Sequence, residues 1–145
     1  MKRNIFILLC LLSFQIMVSQ NWKTDFTEAK QEATQKNRPI ILVFQGSDWC
    51  APCIKLDREI WSTDEFKAYA KEHYVMLKAD FPRRKKNELP TAQQEKNNKL
   101  AEKYNTKGYF PFVVVLDKSG KVLGETGYRK TTVKDYIATL DKFVK

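Results

Sequence analysis

The chain has 145 residues and a formal net charge of +9. Hydrophobic residues make up 43% and aromatics 12%, while Gly and Pro contribute five each. That composition excludes a collagen-like or disordered chain, and the length fits one domain with a packed core.

Met1-Lys2-Arg3-Asn4 is a short basic start, and Ile5 to Val18 is an apolar run of 14 residues broken only by Ser13 and Gln15. Such a run is too short to cross a bilayer core of ~30 Å comfortably. It predicts the n- and h-regions of a secretory signal, with Ser19 as a small residue before a cut at Gln20, although Met17 departs from the A-x-A pattern. A membrane anchor retained at residues 5–18 is the competing reading. Cys10 follows Leu9 rather than a small residue and does not suit lipid attachment. The expected organisation is therefore a signal peptide over 1–20 and one domain over 21–145, exported, with the periplasm as the expected compartment. Losing Lys2 and Arg3 lowers the charge from +9 to +7.

Asn21 to Asn37 carries Trp22, Phe26, Ala29 and Ala33 at three- and four-residue spacing, which predicts an amphipathic helix ended by Arg38-Pro39. Ile40 to Phe44 is continuously apolar, the mark of a strand buried on both faces. A helix is predicted from Ala51 to Ile60, and Ser62 with Glu65 forms a capping-box pattern for another. Tyr74 to Asp80 reads as a second strand. Arg83-Arg84-Lys85-Lys86 follows, without interleaved aromatics, and reads as a solvated loop rather than a docking surface for an acidic partner or a membrane. Thr91 and Gln94 suggest a cap for a helix through Tyr104. Phe112 to Leu116 and Lys121 to Thr126 form a hairpin around Asp117-Lys118-Ser119-Gly120. Thr131 or Thr132 caps a last helix with the buried stripe Val133, Tyr136, Ile137, Leu140 and Phe143. The fold class is α/β, with a mixed sheet flanked by helices, an N-terminal helix and a helical, basic insertion.

Signal removal deletes Cys10 and leaves Cys50 and Cys53 as the remaining cysteines. A bridge that closes so small a ring restrains little chain entropy, so chemistry is a better reason for the pair than stability. The thiolate is the nucleophile in disulfide exchange, and a helix start lowers a thiol pKa from about 8.5 by offering unpaired N–H groups. Cys50 is expected to be exposed and to attack first, and Cys53, one turn deeper, to resolve the mixed disulfide. Half of a zinc site has the same spacing, but His73 is the one histidine in the chain and no second cysteine pair exists.

Trp49-Cys50-Ala51-Pro52-Cys53 after an apolar strand resembles the W-C-G-P-C of thioredoxins, with Ala51 in place of glycine. Phe110-Pro111-Phe112 and the following hairpin resemble their second signature, about sixty residues on. The likeness covers residues 22–145 and implies a thioredoxin fold with a cis proline at Pro111. It also implies a substrate-docking role for Phe110 and Pro111, and a shielding or partner-facing role for Trp49. Two departures stand out: Phe44 replaces a buried aspartate that helps proton transfer, and Phe112 replaces a threonine. The thioredoxin-like domains of membrane thiol:disulfide interchange proteins match best, and they imply Asp57 as proton acceptor. The competing reading of Asp57 is a solvent-facing helix carboxylate paired with Lys or Arg. Asp48 reads as a loop carboxylate whose charge opposes the thiolate.

The expected activity is thiol-disulfide exchange on exported proteins, in the reducing direction, since Ala-Pro is closer to the Gly-Pro of reducing thioredoxins than to the Pro-His of strong oxidants. No cofactor and no resident metal are expected. The partners expected are protein thiols and disulfides and a membrane-embedded electron donor, with no nucleic acid and a monomeric state. A metallochaperone holding a soft ion such as Cu(I) between Cys50 and Cys53, with Met76 or His73, is the alternative, and a scaffold with an inert bridge is a third.

Overall fold

A computed structural model describes residues 19–145; the apolar run, Cys10 and most of the expected signal peptide lie outside the described residues. Five strands form one mixed sheet in the order β1-β3-β2-β4-β5: β1 Trp22–Lys23, β2 Ile40–Gln45, β3 Val75–Asp80, β4 Phe112–Leu116 and β5 Val122–Thr126. β1, β2 and β3 run parallel, whereas β4 is antiparallel to β2 and β5 antiparallel to β4.

The continuously apolar β2 is buried throughout Ile40 to Phe44, and its side chains alternate between two cores. Ile41 and Val43 face one core with Met76, Val113, Val115 and the helices α2 Ala51–Leu56, α3 Asp64–His73 and α5 Val133–Val144. Ile40, Leu42 and Phe44 face the other, with Leu77, Val114 and the helices α1 Phe26–Lys36 and α4 Thr91–Tyr104. Both sheet faces are covered, which is why the strands lack an alternating pattern. The expected α/β mixed sheet is present.

Several boundaries differ from the sequence reading. Trp22-Lys23 does not begin the first helix; it pairs with Met76-Leu77 at the sheet edge, and α1 starts after Asp25, whose carboxylate accepts the amides of Thr27 and Glu28 at 2.8 and 3.0 Å. The α3 cap is Thr63 rather than Ser62: its hydroxyl accepts the Phe66 amide at 3.2 Å. α4 starts after Pro90 without a side-chain cap, so Thr91 and Gln94 form no capping box. For α5 the cap is Thr132, and the stripe Tyr136, Ile137 and Leu140 is buried.

The helix expected to run to Ile60 stops as an α-helix at Leu56 and continues as a π-helical turn over Asp57–Trp61, closed by the Ser62 amide on the Asp57 carbonyl at 2.8 Å. The wider turn accommodates one residue more than an α-helical turn. Leu56, Ile60 and Trp61 thereby all reach the core.

Candidate active site

Cys50 is the N-cap of α2, and its sulfur accepts the Cys53 amide at 3.3 Å. Pro52 lies in the opening turn, where its missing N–H leaves no hydrogen bond unmade. Cys50 and Cys53 are joined by a disulfide of 2.04 Å. Cys50 is 3% exposed and Cys53 4%. The expectation of an exposed Cys50 is corrected for this oxidised state, in which its sulfur is turned back onto Cys53 at the helix start.

The peptide bond Phe110-Pro111 is cis, as the likeness implied. Buried Asn105 fixes the approach to it, accepting the Tyr109 amide at 3.0 Å and donating to the Tyr109 carbonyl at 2.9 Å. Sequence reading missed Asn105, because nothing in its neighbourhood distinguishes it from a helix-terminal polar residue. An open groove of about 530 Å³ is lined by Pro52, Tyr109, Phe110, Pro111, Gly127 and Tyr128, so the helix of the dithiol and the cis proline share one wall. Tyr109 is 55% exposed there.

Trp49 is half-buried and packs edge-on against Phe110 at 5.4 Å, while its indole N–H donates to the Phe81 carbonyl at 2.7 Å. A Cβ at position 46 would stand 2.3 Å from the indole, so Gly46 leaves the space that Trp49 fills. The Arg83 guanidinium lies 3.7 Å from the Trp49 ring centre. Phe44 is fully buried and stacks on Phe112, its direct cross-strand partner, at 6.3 Å. The two departures from the thioredoxin pattern are one aromatic pair.

Two carboxylates lock the dithiol loop to the end of β3 and the segment that follows it. Asp80 accepts the Ser47 amide and hydroxyl at 2.9 and 2.6 Å. Asp48 accepts the amides of Arg83 and Arg84 and the side-chain amide of Asn87, each at 2.9 Å. These donors, led by the Arg83 amide, hold the Asp48 carboxyl below the usual carboxylate range. Folding therefore favours its ionised form. The contribution is complete above the ordinary carboxylate pKa and is lost as pH falls through the lowered folded value. Asp48→Ala is expected to strip hydrogen-exchange protection from the Arg83 and Arg84 amides at neutral pH while leaving those of β2 unchanged; unaltered protection of the two amides would refute the lock.

Asp57 is exposed, its amide donates to the Cys53 and Ile54 carbonyls, and its carboxylate accepts the Ser62 hydroxyl at 3.1 Å. It therefore follows Cys53 by one helical turn, and it forms no ion pair among the described residues. Met76 is buried in the core, and His73 stacks on Tyr69 at 4.0 Å beside the start of β3, the opposite end of the parallel strands from Cys50. Neither of the extra ligands considered for a soft metal lies with the dithiol. No cluster of three or more metal-ligating His, Cys, Asp or Glu residues occurs among the described residues.

Residues 21–118 match the family model described as thioredoxin-like. The chain is 36% identical over 124 residues to the disulfide bond reductase DsbH of Chlamydia pneumoniae, covering 86% of this chain and 72% of that protein. A solved structure named DsbH oxidoreductase superposes with a TM-score of 0.80 at 33% identity, over 87% of this chain and 85% of that one. The C-terminal domain of Neisseria meningitidis DsbD in its oxidised form shares the fold, with a TM-score of 0.55 at 18% identity over 80% and 90% of the two chains.

Proposed function

The chain belongs to the thioredoxin-like family, and from that membership we propose that it is a thiol-disulfide oxidoreductase that reduces disulfides of exported proteins. The observation that carries the reading is the Cys50–Cys53 bridge at the start of α2, with the Cys50 sulfur receiving a helix-terminal amide.

In the reduced enzyme that amide and the first turn of the helix favour a Cys50 thiolate. The thiolate attacks one sulfur of a substrate disulfide, forming a Cys50–substrate bond and expelling the other substrate sulfur as a thiolate. Cys53 then loses its proton and attacks the Cys50 sulfur, releasing the second substrate thiol and forming the intramolecular bridge. Two electrons pass from the enzyme to the substrate, and the two substrate thiolates released take up one proton given up by Cys53 and one from solvent. The groove beside Pro111 receives the substrate chain, with Phe110 and Pro111 as its wall and Trp49 packed against Phe110.

Asp57 is the proton acceptor for Cys53 in this scheme, supported by its place one turn along the helix. Asp57→Asn is expected to slow resolution of the mixed disulfide severalfold near neutral pH and to change the pH–rate profile; an unchanged profile would remove Asp57 from the proton route. Export through the segment over residues 1–20 places the enzyme in the periplasm, and a membrane-embedded dithiol donor would return it to the reduced state. No helix among the described residues is long and apolar enough to cross a membrane.

Turnover of insulin disulfides in the presence of a small thiol tests the assignment. Catalysed reduction is expected. Absence of turnover with stoichiometric, tight Cu(I) binding by the reduced protein would favour the metallochaperone reading instead.

A further inference from the structure

Read in one dimension, Arg83-Arg84-Lys85-Lys86 is a solvated loop; the folded chain brings it to the dithiol. The loop that carries Cys50 also carries Asp48, and the Asp48 carboxylate holds the Arg83 and Arg84 amides and Asn87 at 2.9 Å. The Asn87 amide closes the turn on the Arg84 carbonyl at 2.8 Å, and Arg83 spreads its guanidinium over Trp49. A segment needed only for solubility requires none of these ties. All four basic side chains are exposed, and none is ion-paired among the described residues. Beside them a recess of about 500 Å³ runs from Pro82 to Gln94, with Glu88 as its one carboxylate. Asp48, Asp80 and Glu88 are the carboxylates at this edge, against the four cations of the arm, so the edge keeps a net positive formal charge.

We propose that Arg83, Arg84, Lys85 and Lys86 form an electrostatic docking arm that selects protein substrates with acidic residues flanking the target disulfide. The inference rests on the disulfide-exchange reading and adds the substrate class. A protein segment suits the surface better than a membrane: the arm is tied to Asp48 and Trp49, the two residues before Cys50, and the Trp49 ring is covered by Arg83 rather than free to insert into lipid.

The test uses the reduced protein and two peptides, each closed by one disulfide, one flanked by Glu and the other by Lys. The acidic peptide is expected to be reduced about tenfold faster at low salt. The ratio should fall toward one at about 0.5 M salt, where screening shortens the range of the interaction to a few ångströms. The triple variant R84Q/K85Q/K86Q should lose the preference. K71Q/K142Q/K145Q, which removes the same charge near the far end of the parallel strands, should keep it. Equal rates for both peptides in the parent protein would overturn the inference, as would a preference that survives the first variant or disappears equally in the second. Arm-dependent binding to phosphatidylglycerol vesicles without any peptide preference would overturn it in favour of a membrane role. Reduction of neither peptide would defeat the exchange reading itself, a result distinct from equal reduction of both.

Discussion

Cys50→Ser is expected to reduce disulfide turnover to background, a loss on the order of 10³-fold or more, because it removes the attacking thiol at the helix N-cap and leaves Cys53 without a partner to complete the exchange. Cys53→Ser is expected to fail differently. Its Cys50 thiolate can still attack, but nothing can resolve the product, so the protein should accumulate covalently joined to substrate and be released by added thiol. Mass spectrometry of the variants incubated with a disulfide-bonded protein separates the two outcomes. The asymmetry follows from Cys50 capping α2 while Cys53 lies within its first turn. If trapping occurred instead in Cys50→Ser, the assigned order of attack would be reversed.

Trp61→Ala is expected to lower unfolding free energy by about 3–5 kcal/mol, a large share of the 5–15 kcal/mol usual for a domain. Trp61 is 1% exposed and packs edge-on against Trp22 at 6.1 Å, Phe66 at 4.7 Å and Tyr136 at 5.3 Å. It therefore joins the edge strand, α3 and α5 to the helix that begins at Cys50. Urea unfolding should show a lower midpoint with an unchanged slope, the signature of lost stability rather than a changed unfolded state. Trp61→Phe keeps an aromatic in the site and should lose less. A Trp61→Ala midpoint equal to that of the parent would show that the ring cluster contributes little.

The π-helical turn that puts Trp61 in the core was hidden in the sequence. Leu56, Ile60 and Trp61 satisfy an α-helical pattern nearly as well, and the distinction rests on backbone hydrogen bonds that close one residue later. The buried strands were plain, because Ile40 to Phe44 and Phe112 to Leu116 carry apolar side chains on both faces. β1 escaped notice since two residues, Trp22 and Lys23, suffice for edge pairing and also fit a helical spacing. Cys50, Cys53 and Pro111 were legible through local motifs. Phe44 and Phe112 were each visible as departures, but only the sheet register makes them partners. Their stacking gives a physical reason for the missing buried acid: a carboxylate at position 44 would lie against an aromatic ring in an apolar core. The Asp48 lock and the Arg83 contact with Trp49 join residues more than thirty positions apart, and no linear pattern encodes them.

The central claim is that Cys50 and Cys53 form a reducing dithiol, and the equilibrium reduction potential of the pair tests it most directly. The protein equilibrated against graded glutathione buffers, with the oxidised fraction read after acid trapping and alkylation, should give a value below about −200 mV, toward the roughly −270 mV of thioredoxin. A value above about −150 mV, in the range of strong oxidants near −120 mV, would contradict the account.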